Sequence, residues 1–112
     1  MDSLRQNKVN SLLQQELGTI LQQEGGRLLP GAMITVTGVR VSPDLGMARV
    51  YVSFFPVKDK QAALAHVRDH AGHLRGQLGK AVGKQLRVVP ELHFHLDDSL
   101  DRAEEIDRLL KG

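Results

Sequence analysis

Between Met33 and Phe54, apolar and polar residues alternate along two stretches joined by one turn sequence, Ser42-Pro43-Asp44-Leu45-Gly46. A period of two sends alternate side chains to opposite faces of a strand, so each stretch is predicted to bury one side. The first, Met33 to Val41, is rich in β-branched residues and changes parity across Gly38, from Ile34 and Val36 to Val39 and Val41. That phase change predicts a β-bulge at the glycine. In the second stretch Ala48, Val50, Val52 and Phe54 alternate inward. The Pro-Asp and Gly residues between them are turn formers, and the whole is predicted as a hairpin.

Helical periodicity flanks the hairpin on both sides. Leu4, Val9, Leu12, Leu13, Leu17, Ile20 and Leu21 predict an amphipathic helix over residues 3 to about 24, with Gly25 and Gly26 as its stop and a loop at Pro30 and Gly31. Pro56 ends the second strand, and Asp59 is a predicted N-cap for a helix carrying Leu64, Val67 and Ala71 on one side. Leu74, Leu78 and Val82 continue that stripe beyond Gly72, which predicts two helical segments sharing a buried face and kinked at the glycine. From Leu86, the residues Leu86, Val88, Leu92, Phe94 and Leu96 predict a third strand, and Pro90 within it demands an edge position or a bulge. Asp98 or Ser99 can cap a last short helix containing Leu100, Ala103, Ile106, Leu109 and Leu110.

Charge is distributed unevenly along this order. Residues 58–87 hold seven Lys/Arg against two Asp, whereas residues 88–112 hold three Lys/Arg against seven acids. From His70 to Pro90 there is Arg75, Lys80, Lys84 and Arg87 and no Asp or Glu. Gly72, Gly76, Gly79 and Gly83 punctuate the same stretch at spacings of 4, 3 and 4, which on a helix places them on one face roughly opposite Leu74, Leu78 and Val82. Four helical glycines cost roughly 3 to 4 kcal/mol relative to alanine. A bare, positive helix face fits close approach by an anionic polymer, with Arg75, Lys80, Lys84 and Arg87 contacting phosphates near Gly72 and Gly76. Lys58, Lys60 and Arg68 extend the same patch in sequence. The ordinary alternatives are a solvated helix face and a C-cap at Gly79 or Gly83.

Other constellations carry less. Arg49 and Tyr51 share the strand face opposite Val50 and Val52, but at 4% aromatic residues the chain lacks the paired ring platforms of sheet-type RNA binders, so Tyr51 is predicted as a half-exposed sheet tyrosine. His93 and His95 project from one side of a strand, yet with no cysteine in the chain, and with Asp97 and Asp98 in a turn, no metal site is predicted. His66, His70 and His73 are predicted as surface or RNA-proximal groups. No phosphate-cradling P-loop, Gly-x-Ser-x-Gly elbow or cysteine nucleophile is present, so neither an enzyme nor a cofactor is expected. The absence of cysteine and of a long apolar run predicts a cytoplasmic protein that neither spans nor binds a membrane. At 112 residues one domain, 1–112, and a monomer are expected.

The order α-β-β-α-α-β plus a short C-terminal helix, with a small-residue kink between paired helices, resembles the type II KH-like fold of class α+β, a three-stranded sheet packed on helices. The residues Thr35-Val36-Thr37-Gly38-Val39-Arg40-Val41-Ser42-Pro43-Asp44-Leu45 and Ala48-Arg49-Val50-Tyr51-Val52-Ser53 are similar to the signature hairpin of bacterial ribosome-binding factor A. Leu74-Arg75, Leu78-Gly79-Lys80, Val89-Pro90-Glu91-Leu92, Phe94, Asp97-Asp98-Ser99, Ile106 and Leu109-Leu110 follow in that family's order. The resemblance implies an Ala-x-Gly kink in place of the KH Gly-x-x-Gly loop, here His70-Ala71-Gly72, with histidine at the first position. The interval Ala81 to Arg87 is longer than is usual there, and no charged tail follows Leu110. The resemblance further implies a non-catalytic assembly factor for the immature 30S small ribosomal subunit. Such a factor binds 16S rRNA, assists late maturation including 5′-end processing, supports growth in the cold, and is released with a maturation GTPase. A different class of function is a protein-interaction module acting through the acidic C-terminal helix.

Overall fold

A computed structural model describes residues 3–97. The predicted terminal helix, its acidic face and Asp98 therefore lie outside the described residues. Three helices and three strands follow in the order α1 (Leu4–Leu28), β1 (Met33–Val41), β2 (Met47–Phe55), α2 (Lys60–Asp69), α3 (Ala71–Val82) and β3 (Glu91–Leu96). The sheet runs β1-β2-β3, with β1 and β2 antiparallel and β3 parallel to β2. All the helices pack on one of its faces. The inward residues Ile34, Val36, Val39, Val41, Ala48, Val50, Val52, Phe54, Leu92 and Phe94 meet Leu13, Leu17, Leu21, Leu64, Val67, Leu74, Leu78 and Val82 in one core. The α+β, KH-like architecture expected from the element order is present.

The hairpin follows its alternation. Its register shifts between Val36 and Gly38, where Thr37 is the extra residue, so the parity change marks a real bulge. At the turn the Ser42 hydroxyl donates to Asp44 at 2.6 Å, while Asp44 Oδ1 also accepts from the Gly46 N–H at 3.0 Å. Those two bonds, the Ser42 contribution first, hold the Asp44 carboxyl below its ordinary value. Leu45 adopts φ 60, unusual for a non-glycine, and its side chain rests against the core.

The helix α1 opens on a capping box in which Ser3 and Gln6 exchange bonds. Gly25 and Gly26 do not end it, contrary to expectation. The helix continues to Leu28, a core residue, and Gly25 faces β1, where a Cβ would stand 3.8 Å from Ile34 Cδ1. The turn comes later, with Gly31 at φ 80. Two side chains of α1 reach the β1 edge: Gln6 Nε2 donates to the Val41 carbonyl at 3.2 Å and Asn10 Oδ1 accepts from the Val41 N–H at 2.8 Å.

Asp59 caps α2 as predicted, accepting from the Ala62 N–H at 3.0 Å. The break between α2 and α3 falls at His70, with φ −101 and ψ 10, and Gly72 lies inside α3. His70 Nδ1 stands 2.9 Å from the His66 carbonyl, so the Nδ1–H tautomer donates to the last turn of α2. A side chain able to reach back in this way makes a larger residue workable at a junction expected to want a small one.

The third strand also corrects the sequence reading. It starts at Glu91 rather than Leu86; residues 83–90 form a turn and an irregular segment, and Val88 is 66% exposed. Pro90 has no N–H to offer a ladder, and β3 begins where the Glu91 N–H can donate to the Gly46 carbonyl at 2.9 Å. Pro90 thus lies just outside β3, which is an edge of the sheet.

Candidate nucleic-acid interface

The core stripe of α3, Leu74, Leu78 and Val82, fixes which way its other residues point. One flank is tied to α1, where Gln77 Nε2 donates to Glu24 Oε1 at 2.8 Å and His73 Nε2 lies 3.9 Å from Glu24. The other flank is tied to the segment before β3 by Arg75. Its Nη2 donates to the Val89 carbonyl at 2.6 Å, and its Nε lies 3.2 Å from both the Val89 and the Pro90 carbonyls. What remains between the flanks is Gly72, Gly76 and Lys80, all exposed, continued by Gly83 and Lys84 at the helix end.

The four glycines are not equivalent. A Cβ at Gly72 or Gly76 would meet nothing within 4 Å, whereas one at Gly79 would touch Val89 Cγ2 at 3.4 Å. At Gly83, the C-cap, it would stand 2.7 Å from the Gly79 carbonyl oxygen. Gly83 thus has a packing reason, in the C-cap role that sequence allowed it, while a methyl group at Gly79 would make ordinary contact with Val89. Neither Gly72 nor Gly76 has one.

Two clefts adjoin this strip and share Gly46 of the hairpin turn. One, of about 370 Å³, lies between Ala71, Gly72, Arg75, Glu91 and Leu92. The other, of about 310 Å³, is lined by Arg5, Asp44, Leu45, Gln85, Leu86, Arg87 and Val88. Gly72 and Arg87 thus each line a cleft with the hairpin turn, and Gly76, Lys80 and Lys84 are exposed along and just past α3 between them in sequence. Lys58 and Lys60 are exposed at the opposite end of α2, a ten-residue helix and so roughly 15 Å from the junction. Arg68, read as part of the patch, instead donates through Nε and Nη2 to the Phe94 carbonyl at 3.0 and 2.8 Å.

Sequence reasoning missed Arg5 and Gly46, which only the chain's return brings to the site. It also missed that Arg68 serves the backbone of the edge strand and Arg75 that of the segment leading into it. A signal existed: each follows a core residue, Val67 or Leu74, at a seven-residue spacing, so both lean to the same side of the stripe. Among the described residues no group of three or more His, Cys, Asp or Glu could hold a metal ion, and no helix is long and apolar enough to cross a membrane.

Comparison with known proteins adds findings of three kinds. The family model described as Ribosome-binding factor A matches residues 5–110. A ribosome-binding factor A from Cytophaga hutchinsonii is 40% identical over 110 residues, covering 98% of this chain and 83% of the relative. One from Chelativorans sp. is 45% identical over 85 residues, covering 75% of this chain and 62% of the relative. Among solved structures, ribosome-binding factor A from Thermus thermophilus superposes with a TM-score of 0.68 at 26% identity, covering 81% of this chain and 94% of the other. A homology model of the Thermus thermophilus factor, fitted into a cryo-EM map of its complex with 30S, gives a TM-score of 0.62 at 27% identity over 80% of this chain and 91% of that one.

Proposed function

The chain belongs to the ribosome-binding factor A family, and from that premise we propose that it is a non-catalytic assembly factor binding the immature small ribosomal subunit through 16S rRNA. The contact surface is the exposed strip of Gly72, Gly76, Lys80 and Lys84 with Arg87 beside the hairpin turn, and Lys58 and Lys60 are outlying contacts. In this reading the protein acts late in maturation, including processing of the 16S 5′ end. It works in the cytoplasm as a monomer, matters most in the cold, and leaves with the help of a maturation GTPase.

One observation carries the choice of surface. Gly72 and Gly76 are exposed inside a helix, and alanine at either would collide with nothing. Each costs about 1 kcal/mol of helix stability. Packing gives no return for that cost, whereas a polyanion approaching the bare backbone between Lys80 and the junction does. The Arg75 guanidinium, already donating to Val89 and Pro90, supports this surface by holding the 83–90 segment in place.

Sucrose-gradient sedimentation and a salt titration of binding to isolated small subunits test the reading. The Gly72→Ala/Gly76→Ala variant is expected to unfold at higher temperature yet bind subunits more weakly. Lys80→Gln/Lys84→Gln is expected to flatten the log–log salt dependence by about 1.4, at roughly 0.7 per lost phosphate contact to single-stranded RNA. Subunit affinity unchanged in both variants would exclude the α3 strip as the contact.

A further inference from the structure

The α2–α3 junction carries a pair of imidazoles that the α3 strip does not use. His66 lies in the last turn of α2, and His70 is the residue between the two helices. Residues at i and i+4 are neighbours on one helical face, and two histidines so spaced are a recurrent way for a helix to hold a metal ion. The two rings lie 4.7 Å apart, centroid to centroid, at 58°. His66 is exposed and His70 half-buried, so solvent reaches both.

The state of the nitrogens separates this pair from two surface histidines in chance contact. His70 Nδ1 stands 2.9 Å from the His66 carbonyl and carries the proton it donates there, which leaves the lone pair on Nε2. Histidines that ligate metals are characteristically held in this way, with the second ring nitrogen donating to a carbonyl and so fixing tautomer and orientation. His70 Nε2 and both ring nitrogens of His66 have no hydrogen-bond partner among the described residues. The separation fits as well. With nitrogen–metal bonds of about 2.1 Å, two imidazole centroids at this distance subtend roughly 95° at a shared ion. That angle suits neighbouring positions of an octahedral or tetragonal ion better than a tetrahedral one, and imidazole favours nickel, copper and zinc over the oxygen-seeking magnesium and calcium.

We infer that His66 and His70 form a two-imidazole site for a divalent transition-metal ion of the nickel and copper class, which staples the end of α2 to the junction. Among the described residues no third His, Asp or Glu completes the set, so water fills the remaining positions. The staple acts on the backbone that sets the angle between the helices. The His70 N–H donates to the Val67 carbonyl and the Leu74 N–H to the His70 carbonyl, each at 3.0 Å, so the residue the ion holds both ends α2 and begins α3.

Calorimetric titration of the full, untagged chain with nickel chloride tests the site, and amide hydrogen exchange with and without the ion tests the staple. One nickel ion per chain is expected, broadening the His66 and His70 imidazole resonances through its paramagnetism and slowing exchange of the His70 and Leu74 amides several-fold. His66→Ala, at an exposed position where alanine suits the helix, should weaken binding by at least about tenfold, the loss usual even for a group that only supports a ligand. The chain's other histidine pair provides the control: His93→Gln/His95→Gln should leave the nickel affinity unchanged, and magnesium chloride should give no binding. Absence of nickel binding, binding undiminished by His66→Ala, or binding that disappears with His93 and His95 overturns the site. Nickel bound at His66 and His70 with the two amides exchanging as before overturns the staple.

Discussion

Arg75 illustrates how one side chain can be read correctly in charge and incorrectly in direction. It sits in an acid-free basic segment, and its guanidinium is spent on carbonyls 14 and 15 residues further along the chain. Hydrogen bonds from a charged donor contribute more than neutral ones, and Pro90 is a fully buried residue. Replacing Arg75 with Gln is therefore expected to lower the free energy of unfolding in urea by about 1 to 2 kcal/mol, whereas Lys80→Gln stays within about 0.5 kcal/mol. Equal stabilities for the two would remove the structural role. The same reasoning separates two ways of losing RNA affinity, one through a displaced 83–90 segment and one through a missing contact. His70 is the converse case. It stands where the resemblance implies a small residue, and a bond to the His66 carbonyl gives it a place.

At the scale of elements, the helix α1 shows what propensity can and cannot tell. Two consecutive glycines are a strong stop signal, yet the apolar stripe continues to Leu28 and the core decides. Gly25→Ala is expected to raise the stability by about 0.5 to 1 kcal/mol, because its methyl group would make ordinary contact with Ile34 while improving the helix. A lower melting temperature for that variant would show that the α1–β1 approach is tighter than the geometry implies. The hairpin, its bulge, the Asp59 cap and the shared stripe of α2 and α3 were legible, because each rests on local periodicity or on a residue with one strong local use. The start of β3 was not. Alternation through Val88 is also compatible with an exposed segment, and only the position of Gly46, brought alongside by the hairpin, sets where pairing begins. Of the candidate site, the α3 strip was legible from its composition. Arg5 and Gly46 were not, since the chain's return brings them together.

Across the whole molecule, the cationic groups fall into separate places. Lys58 and Lys60 at the start of α2 are remote from Lys80 and Lys84, and sites more than about 10 Å apart contribute nearly independently. If both groups meet rRNA, the salt-slope change of the fourfold Gln variant should equal the sum for the two double variants when small-subunit binding is titrated. A marked departure from the sum would mean that the groups share one phosphate cluster or that one set makes its contact indirectly. The helices leave the two outer strands in different company, yet each has a side chain on its backbone: Gln6 and Asn10 at Val41, Arg68 at Phe94. An incoming strand would have to displace those bonds before it could join the sheet, so β-augmentation is blocked at both points. At those two points a partner meets side chains rather than an open ladder. Contacts of that kind can be weakened by ions or by competing groups without unzipping a ladder.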